Sequence, residues 1–260
     1  MNRLQNCDPI HELIPEPQLE VEQGQVHSSQ SLGVSHSLFA PLHYEPNYAY
    51  PLIVWLHGPG DNEGQLSRVM PLISMRNYVA VAPRGTLQER APESRQCTYR
   101  WSEDPHHLQQ AEERIFDCID IAQQKYHIEK DRVFLAGFRE GGTMSFRLGL
   151  KYPEQFAGVI SIGGPFPTGQ NPLFNLDRAR QLPLLIAHGS ESECYSVDRV
   201  CSDLRLFHSG GMKVTVRQYP CGDEITTTML SDIDAWAMEL VTGIHPTPNQ
   251  QPCFRLDELN

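Results

Sequence analysis

The segment Val133-Phe-Leu-Ala-Gly-Phe-Arg-Glu-Gly-Gly142 constrains the fold of this chain more than any other. An apolar run, Val133 to Ala136, ends at Gly137, and a stretch with helical spacing opens at Gly141 and continues to Tyr152. That pattern predicts a strand, a tight turn and a helix. The same alternation recurs along the chain. Ser35–Ala40 reads as an edge strand, and Leu52–Leu56, Tyr78–Ala82, Gly158–Ile162, Leu182–Ala187 and Lys213–Tyr219 read as further strands. Leu52–Leu56 is apolar throughout, as expected of a strand covered on both faces. Leu66–Met75, Leu108–Tyr126, Val197–His208 and Met229–Val241 have helical spacing, and the second of these sets Ala111, Ile115, Cys118, Ile119 and Ala122 on one face. Strands alternating with helices predict an α/β fold with a mostly parallel central sheet flanked by helices on both faces.

The 260 residues suit one large domain, expected over residues 31–244. Residues 1–30 are polar and rich in Glu, Gln, Pro and His, which predicts a flexible arm or an edge extension. Residues 245–260 form a tail with little periodicity. The segment Gly163–Leu182, rich in Pro, Gly and Asn, is a long connection of the kind that borders a cleft. A formal net charge of -11 argues against nucleic-acid partners, because phosphate binding wants clustered Lys and Arg. Apolar runs such as Pro51–Leu56 are too short to span a bilayer, and the first residues lack a signal-peptide apolar region. A cytoplasmic location is therefore expected. The seven cysteines are scattered without a C-x-x-C pair, so neither a zinc site nor a disulfide framework is expected. His106-His107 is either a metal-binding pair or part of a solvent-facing loop before a helix, and the second reading is preferred. No metal and no cofactor are expected.

Gly137 and Gly141 sit where a G-x-S-x-G nucleophile elbow would place them, but the middle residue is Arg139. A guanidinium stays protonated and cannot attack a carbonyl. Four more motifs accompany the elbow in chain order: Leu56-His-Gly-Pro-Gly-Asp-Asn62, Ala82-Pro-Arg-Gly85, Ala187-His-Gly189 and Tyr219-Pro-Cys-Gly-Asp-Glu224. Together they resemble the α/β-hydrolase superfamily, and within it the phospholipase/carboxylesterase group that includes acyl-protein thioesterases. The resemblance covers about residues 33–243.

The resemblance implies a Ser-Asp-His triad in that chain order, in which serine attacks, histidine takes its proton and aspartate orients the histidine. It assigns the serine position to Arg139, the aspartate position to Ser192 and the histidine position to Asp223, so all three are substituted. It also assigns one oxyanion-hole donor to Pro59, which has no N–H, and the other to the N–H of Glu140, whose carboxylate opposes a developing oxyanion. Losing one such donor typically costs about 2.7–4 kcal/mol of transition-state stabilisation. Trp101 and Phe166 are candidate cleft residues, or else packing residues of their loops.

These residues lead to a catalytically inactive homologue with a binding or scaffold role, its partner an unknown small molecule or protein. Related esterases often dimerise, which makes a homodimer an expectation here. The alternative is a carboxylic-ester or thioester hydrolase with a rearranged, non-serine group. It would draw on Cys194 or Cys221, with Glu191 or Glu193 as acid and His57 or His188 as base. Two roles fit Arg139: an ion pair with Asp223, shared with Glu140, that closes the former site, or an open anion site. The ion pair is preferred, because the two contacting positions carry complementary charges.

Overall fold

The computed structural model describes residues 26–31, 33–90 and 97–243. The N-terminal arm up to residue 25 and the tail from residue 244 lie outside the described residues. In chain order the elements are β1 (Val26–Ser31), β2 (Val34–Phe39), β3 (Tyr50–Leu56), α1 (Leu66–Ile73), β4 (Val79–Pro83), β5 (Leu87–Arg90), β6 (Cys97–Arg100), α2 (Pro105–Lys125) and β7 (Ile128–Phe138). They continue with α3 (Glu140–Lys151), β8 (Gly158–Ile162), α4 (Leu176–Ala179), β9 (Leu184–Gly189), α5 (Val197–Ser209), β10 (Val214–Tyr219) and α6 (Thr227–Thr242).

An eight-stranded sheet runs in the order β1-β2-β4-β3-β7-β8-β9-β10. From β4 to β10 every pairing is parallel, while β2 joins β4 and β1 joins β2 antiparallel. The strand expected at the edge is thus one place in, and the last residues of the supposed arm supply the edge. The central strands alternate faces with a period of two. Leu52, Val54, Leu135 and Ile186 face a core closed by α2, α3 and α5. Ile53, Trp55, Phe134 and Leu185 face a second core closed by α1 and α6. Burial on both faces explains why these strands read as unbroken apolar runs. Each large side chain removed from water contributes about 1.5–3 kcal/mol.

The elbow is built by close approach. A Cβ on Gly141 would stand 2.2 Å from the Leu56 carbonyl oxygen, and one on Gly137 would stand 2.3 Å from the Gly141 carbonyl carbon. Only glycine lets α3 start this close to β3 and β7. A two-stranded sheet of β5 and β6, absent from the sequence reading, projects from the end of β4 and delivers Arg100 and Trp101 beside α3.

Candidate functional site

Arg139 occupies the turn between β7 and α3 with φ 50° and ψ -113°. A non-glycine residue at this φ carries about 1–3 kcal/mol of backbone strain, which the surroundings must hold in place. Two backbone hydrogen bonds do so: the Arg139 N–H donates to the Ile162 carbonyl at 2.8 Å, and its carbonyl accepts from the Thr143 N–H at 2.9 Å. The strained turn of an elbow is therefore retained although the residue at its tip is not a nucleophile.

The side chain does not take the partner expected of it. No Arg139–Asp223 or Arg139–Glu140 ion pair forms; the guanidinium Nη2 donates to the Cys194 sulfur instead. Asp223 is engaged elsewhere. The Ser192 hydroxyl donates to its Oδ1 at 2.5 Å, the Glu193 N–H to Oδ2 at 3.1 Å and the Cys194 N–H to Oδ2 at 3.3 Å. Burial raises the Asp223 pKa, but these hydrogen bonds outweigh it and the carboxyl titrates below its ordinary value. The preferred sequence reading of Arg139 thus fails for a local reason: the loop after β9 offers three donors to Asp223 before the arginine can reach it.

Glu140 is also satisfied without Arg139. Arg100 grips it as a two-pronged ion pair, and the Trp101 N–H donates to its Oε2 at 3.3 Å. Trp101 is buried, and its indole N–H donates to the His57 carbonyl at 3.0 Å. Its ring packs under the loop and also lines a cleft of about 240 Å³, together with Glu103, Arg139, Thr143, Met144 and Cys194. Phe166 does not line that cleft. Its ring turns into the core, 5.1 Å from Phe207 and 6.3 Å from Phe146, because the Asp203 carboxylate takes its N–H and fixes the chain there. The neighbouring Pro165 forms the wall instead, its carbonyl accepting from the Thr143 hydroxyl at 2.9 Å.

Pro59 lies half-buried in the turn after β3, beside Gly58 and His57. His57 is held inside that turn. Its Nδ1 donates to the Gly58 carbonyl at 2.7 Å and its Nε2 accepts the Gly85 N–H at 2.9 Å. An Nε2 that accepts an N–H carries no proton, which makes the ring neutral with both nitrogens occupied, and desolvation lowers its pKa. His188 bonds to the Gly189 carbonyl, and desolvation lowers its pKa as well. Burial, with Glu224, Glu191 and Asp223 nearby, pushes the Cys221 thiol up. Among the described residues no thiol is hydrogen-bonded to a histidine, so the donors of the rearranged-triad reading are not assembled. His106 and His107 sit in the first turn of α2, and no cluster of three metal-ligating side chains occurs among the described residues.

Two long-range ion pairs were not legible in the sequence. Arg147, buried on α3, holds Glu103 and also the carbonyls of Thr168 and Gly169. Glu63 and Arg84 pair between the turn after β3 and the end of β4, with the guanidinium 4.7 Å from the Tyr99 ring centroid. Both link residues more than twenty positions apart, and no periodicity announces such contacts.

The fold recurs in solved structures. Arabidopsis thaliana SOBER1 superposes with a TM-score of 0.61 at 18% identity, covering 74% of this chain and 100% of that one. The Bacillus cereus carboxylesterase gives a TM-score of 0.62 at 17% identity, covering 81% and 96%. In sequence, the chain is 23% identical to the Arabidopsis carboxylesterase SOBER1 over 48% of its own length and 56% of that protein. It is 29% identical to acyl-protein thioesterase 1 of Schizosaccharomyces pombe over 34% of its own length and 40% of that protein. The match thus spans only about half the length of these relatives. The model of the phospholipase/carboxylesterase family matches residues 45–238, the whole span from the strand before the His57 turn to the last helix. With the elbow, the parallel sheet and the turns at its strand ends in their expected order, this chain belongs to the phospholipase/carboxylesterase family of α/β-hydrolases.

Proposed function

We propose that this chain is a non-hydrolytic member of its family whose elbow cleft serves binding. The observation that carries the reading is Arg139 itself: a permanently charged side chain at the tip of the elbow, bonded to a sulfur and to no histidine. Acyl transfer of the family type needs a nucleophile, a base within hydrogen-bond reach and two oxyanion donors. The residues that resemblance assigns to those tasks are Arg139, Asp223, Pro59 and Glu140. Asp223 spends its oxygens on Ser192 and on two backbone N–H groups. Related enzymes bearing the names carboxylesterase and acyl-protein thioesterase suggest that the cleft descends from an acyl site. A cytoplasmic location and a homodimer belong to the same proposal.

One observation favours a second reading. Cys194 lines the cleft beside Arg139, so a thiol opens into the same cleft as the elbow tip. A short-chain thioester offered to wild-type protein and to Cys194→Ser separates the two. Equal background rates support the binding role, and turnover lost only in the variant supports a thiol hydrolase.

A further inference from the structure

We propose that the elbow cleft binds a small monocarboxylate, with the Arg139 guanidinium as its anchor; the inference rests on reading the cleft as a binding site. Of the charged side chains on its wall, Glu140 is paired with Arg100, which Glu89 also engages, and Glu103 is paired with Arg147. Asp223, the carboxylate nearest in expectation, is held by Ser192 and the Glu193 and Cys194 N–H groups. Among the described residues, Arg139 is the charged side chain of this wall that meets no carboxylate. Its side-chain partner among the described residues is the Cys194 sulfur, a weak acceptor that a carboxylate replaces at little cost. A guanidinium presents a planar fork matched to two carboxylate oxygens, and such charge-assisted pairs are roughly twice as strong as neutral ones.

The walls define the rest of the ligand. Trp101, Met144 and Pro165 supply apolar surface, and Thr143 adds a hydroxyl already committed to Pro165. A volume of about 240 Å³ falls below the about 300–1,000 Å³ usual for drug-sized ligands, so the tail is short. One guanidinium without a carboxylate contact, with glutamates close by, suits a monoanion and disfavours a phosphate dianion. The class indicated is a short aliphatic or aromatic acid, the kind of product that ester cleavage would leave.

The test is ligand titration by calorimetry and by protein-observed NMR with hexanoate, hexanol and inorganic phosphate, on wild type, R139G, R139K and C194A. Glycine relieves the positive φ, so R139G is expected to fold, and R139K keeps the charge while losing the fork. The expected result is saturable hexanoate binding by wild type and C194A, at least 10-fold weaker binding by R139K and none by R139G. Hexanol and phosphate are expected not to compete. Hexanoate binding equal in R139G, hexanol binding equal to hexanoate, tighter binding of phosphate, or no binding at all would each overturn the inference. Ester hydrolysis is measured on the same samples. Turnover with intact hexanoate binding counts against the non-hydrolytic reading alone, whereas neither turnover nor binding counts against the monocarboxylate alone.

Discussion

The Ser192 hydroxyl donates to the Asp223 carboxylate at 2.5 Å, and the same Ser192 oxygen accepts the Tyr195 N–H at 2.9 Å. With the Glu193 and Cys194 N–H groups also on Asp223, the two residues fasten the loop after β9 to the loop after β10. The positions that resemblance assigns to an acid and a base work here as a staple. That staple sets where Cys194 lies, and Cys194 in turn receives the Arg139 guanidinium.

Removing either half of the staple should loosen the loop without unfolding the domain. Asp223→Ala leaves the Ser192 hydroxyl and two N–H groups without their acceptor at a half-exposed site, a cost of about 1–2 kcal/mol. Urea denaturation should show that loss, and hydrogen exchange should rise at the Glu193 and Cys194 amides while those of α3 stay protected. An unchanged exchange pattern would contradict the staple.

Acid should weaken the fold in two stages. His57 and His188 titrate below the ordinary histidine value of about 6.5, so they stabilise the fold fully above it. That contribution is lost as pH falls through their lowered values. Burial raises the pKa of Glu63 and of Asp223, but hydrogen bonds outweigh it, from Arg84 for Glu63 and from the Ser192 loop for Asp223. Their net depression makes their stabilisation complete above about pH 4 and lost below it. Thermal midpoints should therefore begin to fall as pH drops below about 6.5, and fall again below about pH 4. Midpoints of His57→Gln compared with wild type should show a shallower first limb in the variant.

The Glu63–Arg84 pair should matter more than any surface pair. Glu63 is buried and its carboxylate meets Arg84 twice. Glu63→Ala strands a partly buried guanidinium, and half-removal of a buried pair costs about 3–5 kcal/mol. Because Arg84 retains some exposure, the lower end of that range is expected from chemical denaturation. Arg178→Ala, which breaks an exposed pair with Glu154, should cost less than about 1 kcal/mol.

Much of the scaffold was legible in the sequence, and the reasons are physical. The central strands β3, β4, β7, β8 and β9 are buried on both faces, so they appear as apolar runs that nothing else explains. The elbow glycines are legible because no side chain fits beside the Leu56 carbonyl. The β5–β6 sheet was not legible: Leu87-Gln-Glu-Arg90 and Cys97-Thr-Tyr-Arg100 are four residues each and largely polar, too short to stand out as strands. With that hairpin unseen, Arg100 could not be recognised as the partner of Glu140. Residue types alone suggested that Arg139 and Asp223 would pair. Which donors reach Asp223 first is a property of loop geometry, and that geometry overruled the charges.

The elbow glycines themselves yield a sharp test of the fold. Gly141→Ala forces a Cβ against the Leu56 backbone, which cannot yield as a side-chain tip does. Overpacking of that kind costs about 1–3 kcal/mol. A drop in the denaturation midpoint is expected in Gly141→Ala, and no comparable drop in Gly222→Ala, where the nearest heavy atom, the Glu191 carbonyl oxygen, stands at an ordinary contact distance of 3.9 Å.

The central claim is that an arginine at the elbow ends family chemistry. Its most direct test is hydrolysis of a short-chain nitrophenyl ester by wild type and by Arg139→Ser, alongside labelling with a serine-directed phosphonate. No turnover above buffer and no label are expected in wild type. None is expected in Arg139→Ser either, because Pro59, Ser192 and Asp223 leave a restored serine without base or full oxyanion hole. Saturable turnover by the wild-type chain, abolished by Cys194→Ser, would overturn the non-hydrolytic reading.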